Sequence, residues 1–344
     1  ADAIYNMKNA NDSPTTFNPY SVSHNEFTDA TSALMGRYIE VLDGFVFGKG
    51  DLGKFPASFR LGRHTLLWGE SLFFATNGIS YGQAPLDIAK ALSVPATQAK
   101  ELFLPISQFS AQIQVAPNFS VAAFAQFESR VNRIPASGSY FSDADMIDDG
   151  GQRLLLGPNP LPGPPDALGP AFWRGDDMTA NEVGPWGISF RYRPEKFDVD
   201  LGLYYERYNE KSQYWIYLDP STADPAINKV GDYFLVYPEN IHLIGASFGT
   251  QIGAMNVSGE VSGRINTPLI STPQVVTPGS DADNDDHPLY AVGNTVHANI
   301  SGIYFLPPSF LWEGGTLLAE VAAQYLVNIS KNSSAFDQTR DDYT

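Results

Sequence analysis

The feature that most constrains this chain is an alternation of apolar and polar residues that recurs along its length. Between residues 186 and 207, apolar residues occupy every second position on both sides of the break at Pro194. A period of two places apolar side chains on one face of a β-strand and polar side chains on the other, and the break predicts a hairpin. The pattern leaves open whether a protein core or lipid covers the apolar face.

Ten alternating runs are present, and they form five pairs. The predicted strands are residues 34–48, 56–69, 107–116, 119–128, 186–193, 198–207, 242–252, 254–264, 292–305 and 315–329. The connections within pairs are short. The connections between pairs are long, and they cover residues 70–106, 129–185, 208–241 and 265–291.

This alternation of short and long connections separates two architectures. Compact soluble domains seldom contain several structureless loops longer than about 15 residues. Outer-membrane β-barrels have short periplasmic turns and long extracellular loops, with apolar residues facing lipid and polar residues facing the lumen. The sequence therefore predicts an all-β, antiparallel transmembrane β-barrel, and an antiparallel sandwich is the alternative. Aromatic residues near the ends of the runs, such as Trp68, Trp186 and Tyr204, predict interfacial girdles.

Composition argues against several other classes of protein. Hydrophobic residues make up 43% of the chain, and no run approaches the roughly 18 consecutive apolar residues that a membrane helix requires. The formal net charge of -17 argues against nucleic-acid binding, which needs a basic surface. The chain lacks cysteine, its five histidines are scattered, and Asp281, Asp283 and Asp285 lack the glycine and glutamate of a calcium loop. We predict no metal site and no cofactor, and loose binding of divalent cations by acidic loops stays open.

The connection at residues 70–106 differs from the other long connections. Within it, residues 84–105 space their apolar side chains as short helices do, between boundaries at Pro85, Pro95 and Pro105. We predict a helical insert that forms either an extracellular lobe or a plug inside the lumen. For a plug, the gate candidates are Leu86, Ile88, Leu92, Leu102 and Phe103, because apolar side chains at a constriction exclude water and ions.

The polar faces of the predicted strands supply candidate lumen residues. The charged or titratable side chains that would line the lumen are Arg60, His64, Arg191, Arg193, Glu206, Glu260, Arg264 and Glu320. Residues 245–249 match the G-x-S-x-G pattern of serine hydrolases, but Ser247 lies within a predicted strand and not at a strand-to-helix turn. We predict that the protein is not an enzyme, and an outer-membrane esterase is the alternative that Ser247 leaves.

The predicted barrel is incomplete at both ends. The first predicted strand runs into a short turn without a preceding partner, and no returning strand follows the last one. A closed barrel with an even number of strands would need at least one more strand at each end. We therefore expect residues 1–344 to form a single barrel domain that belongs to a longer barrel.

Residues 61–105, with the sequence LGRHTLLWGESLFFATNGISYGQAPLDIAKALSVPATQAKELFLP, resemble a proteobacterial outer-membrane family catalogued as domain of unknown function 1302. The resemblance rests on WGES at residues 68–71, on Asn77-Gly78 and on the P-x-D pattern from Pro85 to Asp87. The stretch HPLYAVGNTVHANISGIYFLPPS, from His287, is similar to a later hairpin of that family.

The resemblance implies a barrel in the outer membrane of a Gram-negative bacterium, exported by a signal peptide and associated with envelope transport of lipids or other hydrophobic compounds. The expected function is a porin-like channel or transporter component that passes small, hydrophobic or lipid-like molecules. The alternative is a structural or docking barrel of a trans-envelope lipid transport complex without its own conductance. The expected partners are outer-membrane lipid, lipopolysaccharide and periplasmic or inner-membrane transport proteins, and no catalytic residue is implied.

Overall fold

The computed structural model describes residues 27–36, 39–95, 97, 101–142, 146–147, 149–156 and 170–338. Its strands are β1 (Gly44–Leu52), β2 (Phe55–His64), β3 (Ile106–Ala116), β4 (Phe119–Gln126), β5 (Arg153–Leu155), β6 (Ala171–Arg174), β7 (Trp186–Tyr192), β8 (Val199–Tyr208), β9 (Trp215–Asp219), β10 (Lys229–Val236), β11 (Ile241–Ile252), β12 (Met255–Pro268), β13 (Gln274–Val275), β14 (Val292–Leu306) and β15 (Gly315–Lys331). The helices are α1 (Asp29–Thr31) and α2 (Ile88–Ser93), together with a π-turn at Ser32–Gly36. Short 3-10 turns lie at Ile79–Gly82, Pro220–Thr222, Pro225–Ile227 and Ser333–Ala335. Among the helices of the described residues, none combines the length and the hydropathy that a membrane-spanning helix requires.

The largest element is an antiparallel sheet of ten strands in the order β1-β2-β3-β4-β7-β8-β11-β12-β14-β15. These are the ten strands that the alternating runs predict, and each one pairs with the next of the ten along the chain. The order is a meander, in which short turns join five of the neighbouring pairs and long connections join the other four. The edge strands, β1 and β15, do not pair with each other within the described residues.

Two predicted boundaries at the start of the sheet are wrong. The first strand begins at Gly44 and not at residue 34. Residues 29–36 are helical, Thr28 caps this segment by accepting a hydrogen bond from the Thr31 N–H, and residues 39–43 are irregular. The second strand ends at His64 and not at residue 69. Beyond it, the Trp68 N–H donates to the Gln83 side chain at 2.6 Å and so does not contribute to the ladder. The hairpin turn lies at residues 53–54, where Gly53 adopts a φ of 68° that favours glycine.

The large sheet exposes its apolar face and buries its polar face, which is the reverse of a sheet in a soluble protein. On β8, Leu203 is 58% exposed, whereas Glu206 is completely buried. On β12, Val261 is 49% exposed, whereas the next inward residues, Glu260 and Ser262, are buried. A one-sided soluble sheet buries its apolar face and exposes its polar face. Here the apolar face is open, and other parts of the chain cover the polar face.

A second sheet, which the sequence analysis did not predict, is built from three of the long connections. Its five strands follow the order β13-β9-β10-β6-β5, and two of the pairs, β10–β6 and β9–β13, are parallel. Tyr217, Tyr233 and Leu235 form part of its core and are fully buried. The connections at 129–185, 208–241 and 265–291 are therefore not independent polar loops, because they pair with one another and bury aromatic side chains.

The insert at residues 84–105 contains one of the helices that the sequence predicts. Helix α2 begins after Asp87, whose side chain caps it by accepting a hydrogen bond from the Lys90 N–H at 2.9 Å. The helical spacing over residues 96–103 falls partly on residues 96 and 98–100, which lie outside the described residues. The proline-rich segment at residues 158–165 also lies outside them.

Candidate functional site

The polar face of the large sheet is covered by residues 65–83, which we call the inner loop. This segment leaves β2 at its end and lies against the polar side chains of strands from β4 to β15. Its 3-10 turn, Ile79–Gly82, contacts β8, β11 and β12. The WGES element and the Asn77-Gly78 pair, which carry the family resemblance, both belong to the inner loop.

Two carboxylates on the sheet bind backbone N–H groups of the inner loop. Glu260 on β12 accepts hydrogen bonds from the N–H groups of Glu70 at 2.6 Å and Ile79 at 2.9 Å. Glu320 on β15 accepts from the N–H groups of residues 72, 73 and 74 at 3.1, 2.5 and 3.0 Å. Hydrogen bonds to a charged acceptor are roughly twice as strong as neutral ones. These five bonds fix the backbone of the loop on the polar face.

Glycines allow the carboxylates to come this close. A Cβ atom at Gly78 would lie 2.8 Å from a carboxylate oxygen of Glu260, and one at Gly69 would also overlap that carboxylate. Gly69 has a φ of 95°, which disfavours any other residue. Gly82 makes the same kind of approach to Glu206 on β8. The glycines of the inner loop are therefore required by the carboxylates opposite them.

Two arginines of the wall complete the attachment. The Arg264 guanidinium on β12 donates to the carbonyl oxygens of Thr76 at 2.9 Å and Gly78 at 3.1 Å. Arg191 on β7 forms an ion pair with the Glu70 carboxylate at 3.1 Å. Positive and negative wall residues thus bind complementary groups of one segment.

The asparagine of the Asn77-Gly78 pair contacts the last two strands of the sheet. Its amide nitrogen donates to the carbonyl oxygens of Ala298 and Ala323, both at 3.2 Å, and to the side chain of Asn299. Its amide oxygen lies 2.7 Å from Nδ1 of His297 on β14. Sequence reasoning missed His297 and Asn299, although both lie on the polar face of a predicted strand.

At the other end of the inner loop, Gln83 joins the loop to strand β8. Its side chain donates to the Glu206 carboxylate at 2.5 Å and accepts from the Trp68 N–H. Trp68 is buried against Phe124 and Tyr204, with ring centroids 5.1 and 6.1 Å apart. The prediction that Trp68 and Tyr204 belong to an outer girdle is therefore wrong, because both rings lie inside, between the loop and the sheet.

A buried lysine holds the loop just beyond the end of β8. Lys211 donates from Nζ to the carbonyl oxygens of Gly82 at 3.0 Å and Asn209 at 3.3 Å. Burial lowers the pKa of Lys211 to about 8, although the nearby carboxylates of Glu210 and Glu206 act in the opposite direction. Tyr81 donates its hydroxyl to Glu210, and burial together with this carboxylate raises the Tyr81 pKa well above its usual value.

The lowered pKa of Lys211 predicts a pH-dependent stability. Below pH 8 the folded and unfolded chains both carry the proton, and the cost of burying the charge is fully present. Between about pH 8 and 10 the folded protein has released the proton while the unfolded chain, with an ordinary lysine pKa, still holds it. We therefore expect the free energy of unfolding to rise over this range, by on the order of 2 kcal/mol.

Denaturation in detergent at several pH values measures this rise. The substitution Lys211→Met should abolish it, whereas Lys196→Met, on the exposed turn between β7 and β8, should leave it unchanged. A rise of equal size in the Lys211→Met protein would show that another group is responsible.

Three lumen candidates lie away from the wall residues that bind the inner loop. Arg60 on β2 lies 5.5 Å from the ring centroid of Phe45. His64 is buried at the end of β2, between the Ser110 hydroxyl at 2.8 Å and the Gly62 carbonyl at 3.0 Å. Arg193 lies at the exposed turn after β7 and forms an ion pair with Asp198 at 2.5 Å. The structure thus brings Arg191, Glu206, Glu260, Arg264 and Glu320 together around one loop and places these three elsewhere.

The gate candidates lie in the insert and not in the inner loop. Leu86 and Phe103 form a β-bridge, and the N–H groups of Ile88 and Ala89 donate to the Arg133 carbonyl at 2.8 and 3.0 Å. Leu92 is exposed, and Leu102 is half-buried next to Phe103. These contacts join the insert to the following long connection, and the idea that the insert restricts the lumen stays a prediction.

The hydrolase pattern at residues 245–249 falls within β11. The Ser247 hydroxyl lies 3.0 Å from the Tyr204 hydroxyl, and no strand-to-helix turn follows it. This is not the arrangement of a nucleophile elbow. Among the described residues, no group of three or more His, Cys, Asp or Glu side chains is placed to hold a metal ion.

The inner loop leaves space along the wall formed by the first strands. A cavity of about 370 Å³ lies between Leu66 and Trp68 of the loop and the strands β1 to β4. A second cavity, of about 510 Å³, continues toward the turn between β1 and β2. Lys49, Ser58 and Gln112 line both cavities, so the two adjoin.

Comparison with known proteins gives one family and one solved structure. The model of a family described as "Protein of unknown function (DUF1302)" matches residues 1–344. The chain is also similar to the crystal structure of the outer membrane channel DcaP of Acinetobacter baumannii, with 8% sequence identity and a TM-score of 0.35. The similarity covers 81% of this chain and 64% of that chain, so this chain spans less than two thirds of the channel's length. No curated protein matches the chain.

Proposed function

The chain belongs to the DUF1302 family, and from the geometry of its large sheet we propose that it is a β-barrel channel of a Gram-negative outer membrane. It passes small molecules, and the inner loop narrows its lumen. The barrel acts by diffusion along its wall and carries out no chemistry. The outer-membrane lipid and lipopolysaccharide around it are its first partners.

The observation that carries this proposal is the reversed polarity of the sheet. Leu201 and Leu203 on β8, and Val261 and Ile265 on β12, point away from the protein and are exposed. Such a face, repeated over ten neighbouring strands, is far larger than the apolar patches of soluble monomers. Lipid is the solvent that suits it, and polar residues on the opposite face suit a lumen.

Strand length supports the same conclusion. Strands that cross a membrane at a tilt need about 9–11 residues. Strands β2 and β8 have 10 residues each, and β3 and β11 have 11 and 12. The unpaired backbone groups of an edge strand cannot face lipid. In the proposed barrel, β1 and β15 therefore each pair with a further strand or with each other.

The inner loop defines where molecules pass. It is bonded to the wall from β4 to β15, and the adjoining cavities run along β1 to β4. A passage along this side is lined by the aromatic rings of Phe45, Phe47 and Trp68 on one part and by Lys49 and Ser58 on another. A wall of this composition favours small molecules with an apolar part, in agreement with the hydrophobic or lipid-like solutes expected from the family resemblance.

Reconstitution into planar lipid bilayers tests the proposal. The purified protein should give stepwise single-channel currents, and liposomes that contain it should release small aromatic solutes. Ser58 lines both cavities, so Ser58→Trp should reduce the current several-fold. The matched control is Leu61→Trp, which places the same side chain on the exposed face of the same strand and should leave the current unchanged.

A docking barrel without conductance is the second candidate, and the turn between β14 and β15 favours it. Phe310 is 94% exposed at this turn, and Leu311 and Trp312 beside it are also exposed. The turn lies at the short-turn end of the sheet, which in an outer-membrane barrel faces the periplasm. Periplasmic or inner-membrane transport proteins would dock there. A folded, membrane-inserted protein that gives neither current nor solute release would reject the channel and leave this candidate.

A further inference from the structure

The cavity between the start of the inner loop and strands β1 to β4 combines an apolar wall with two cationic side chains. Phe47, Leu66 and Trp68 supply the apolar wall, and Lys49 and Arg60 supply the cations. Its volume of about 370 Å³ lies in the range of small-molecule sites. None of the carboxylates that hold the inner loop lines it.

The strand register explains why these residues share one face. Phe47 on β1 is paired with Arg60 on β2, and Lys49 is paired with Ser58. Residues two apart on a strand point to the same side, so both cations lie beside Phe47 on the polar face of the sheet. The same register directs the rings of Phe45 and Phe47 toward the cavity and not toward the apolar face.

The two cations have no ion-pair partner among the described residues. The Arg60 guanidinium lies near the ring of Phe45, and in the described part of the chain no carboxylate lies within 4.0 Å of the charged groups of Arg60 or Lys49. Arg191 and Arg264, on the same face of the sheet, differ in this respect, since they bind Glu70 and two backbone carbonyls. The chain has a formal net charge of -17, yet this wall carries two positive charges that no carboxylate of the described residues pairs with.

We propose that this cavity binds an amphipathic organic anion, with the apolar body against Phe47, Leu66 and Trp68 and the acid group between Arg60 and Lys49. The inference rests on the proposed function, because it names the class of molecule that the channel selects. Arginine binds a carboxylate through two parallel hydrogen bonds, and lysine adds a mobile positive charge. The backbone N–H of Trp68 donates to the Gln83 side chain, which holds the residue in place. Its ring therefore provides a rigid surface for an apolar or aromatic body.

The positive charges of the wall favour an anionic ligand over a neutral or cationic ligand with the same apolar body. A neutral analogue would fill the apolar part and leave both cations to water. A cationic analogue would be repelled, because like charges at short distance are unfavourable. The nearest acid on the same face of β1 is Asp51, which lies beyond Lys49 at the turn and lines only the second cavity. An anion should therefore enter the first cavity, beside Trp68.

Three ligands with the same apolar body test the proposal: phenylbutyrate, phenylbutanol and phenylbutylamine. Isothermal titration of the purified full chain in a neutral detergent measures their dissociation constants. We expect the carboxylate to bind about 10-fold more tightly than the alcohol, and the amine to bind least. The substitution Arg60→Gln should weaken carboxylate binding by about 10-fold and leave the alcohol unchanged.

Two further variants make the result decisive. Arg193→Gln removes a positive charge from the exposed turn after β7 and should change no dissociation constant. Phe47→Ser, on the edge strand β1, should weaken binding of the carboxylate and the alcohol alike, and it replaces Arg60→Gln if that variant fails to fold. Equal affinity for the carboxylate and the alcohol, or carboxylate affinity unchanged in Arg60→Gln, would overturn the proposal.

The binding site and the channel can fail separately. If the carboxylate binds as expected but the protein conducts nothing in bilayers, the site stands and the channel function falls. If the protein conducts but the three ligands bind equally or not at all, the site falls and the channel function stands.

Discussion

Removal of the inner loop is expected to raise the single-channel conductance several-fold, because the loop covers the polar face of strands β4 to β15. The deletion takes out residues 69–82 and joins Trp68 to Gln83 through two or three glycines. A short linker suffices, since the Trp68 N–H and the Gln83 side chain are 2.6 Å apart. Glu260, Glu320 and Arg264 lose their loop partners, but in an open lumen water replaces them. Recordings in planar bilayers measure the change.

A deletion in the neighbouring insert is the matched control. Residues 88–101 can be replaced by a similar linker, because the two ends of the deleted segment are hydrogen-bonded to each other. The Asp87 N–H donates to the Leu102 carbonyl at 2.7 Å, and the Leu104 N–H donates to the Pro85 carbonyl at 2.8 Å. We expect this deletion to leave the conductance unchanged, since the insert contacts Arg133 and its neighbours. A large rise in the insert deletion, with none in the loop deletion, would make the insert the constriction, as its apolar residues first indicated.

Arginine in place of Leu203 is expected to destabilise the membrane-inserted protein by about 2 to 4 kcal/mol, the cost of a cation at the bilayer midplane. Leu203 lies in the middle of β8 and is exposed on the apolar face. Chemical denaturation in lipid vesicles, followed by tryptophan fluorescence, measures the free energy of unfolding.

The comparison for this substitution is Ser258→Arg on β12. Ser258 lies on the polar face with Glu260, so its arginine would enter the lumen and should change the conductance more than the stability. Leu203→Ala separates the charge from the loss of side-chain volume and should cost clearly less than Leu203→Arg. If Leu203→Arg cost no more than Leu203→Ala in lipid, the apolar face would have to be covered by protein and the sandwich would return as the better architecture.

Much of the sheet follows from the sequence, because its determinants are local. The period of two at Ile188, Phe190, Leu201 and Leu203 decides which side chains share a face, and the short turns decide which strands form hairpins. All ten predicted strands are present in a meander, and the largest boundary errors are those near residues 34 and 69. The first error falls where residues 29–36 are helical, and the second falls where the Gln83 side chain binds the Trp68 N–H.

The second sheet and the inner loop could not be predicted from local sequence patterns. In the second sheet, β6 pairs in parallel with β10, and no turn signal joins two segments that far apart. In the inner loop, the donors are backbone N–H groups, which every residue except proline carries and which therefore leave no mark in a sequence. Helical spacing marks the apolar insert at residues 84–105, whereas the inner loop carries a local signal of close backbone approach in its glycines at 69, 78 and 82.

The sequence by itself determined the strands, the hairpins that short turns form and the polarity of the strand faces, since these depend on residues a few positions apart. It also placed Arg191, Glu206, Glu260, Arg264 and Glu320 on the polar face. Only the tertiary structure decided what these residues bind. Glu260 meets the N–H of Glu70 across 190 positions of the chain, and Glu320 meets that of Phe73 across 247. Contacts of such separation depend on how the whole sheet brings its strands around one loop, and alternation along a strand carries no information about that.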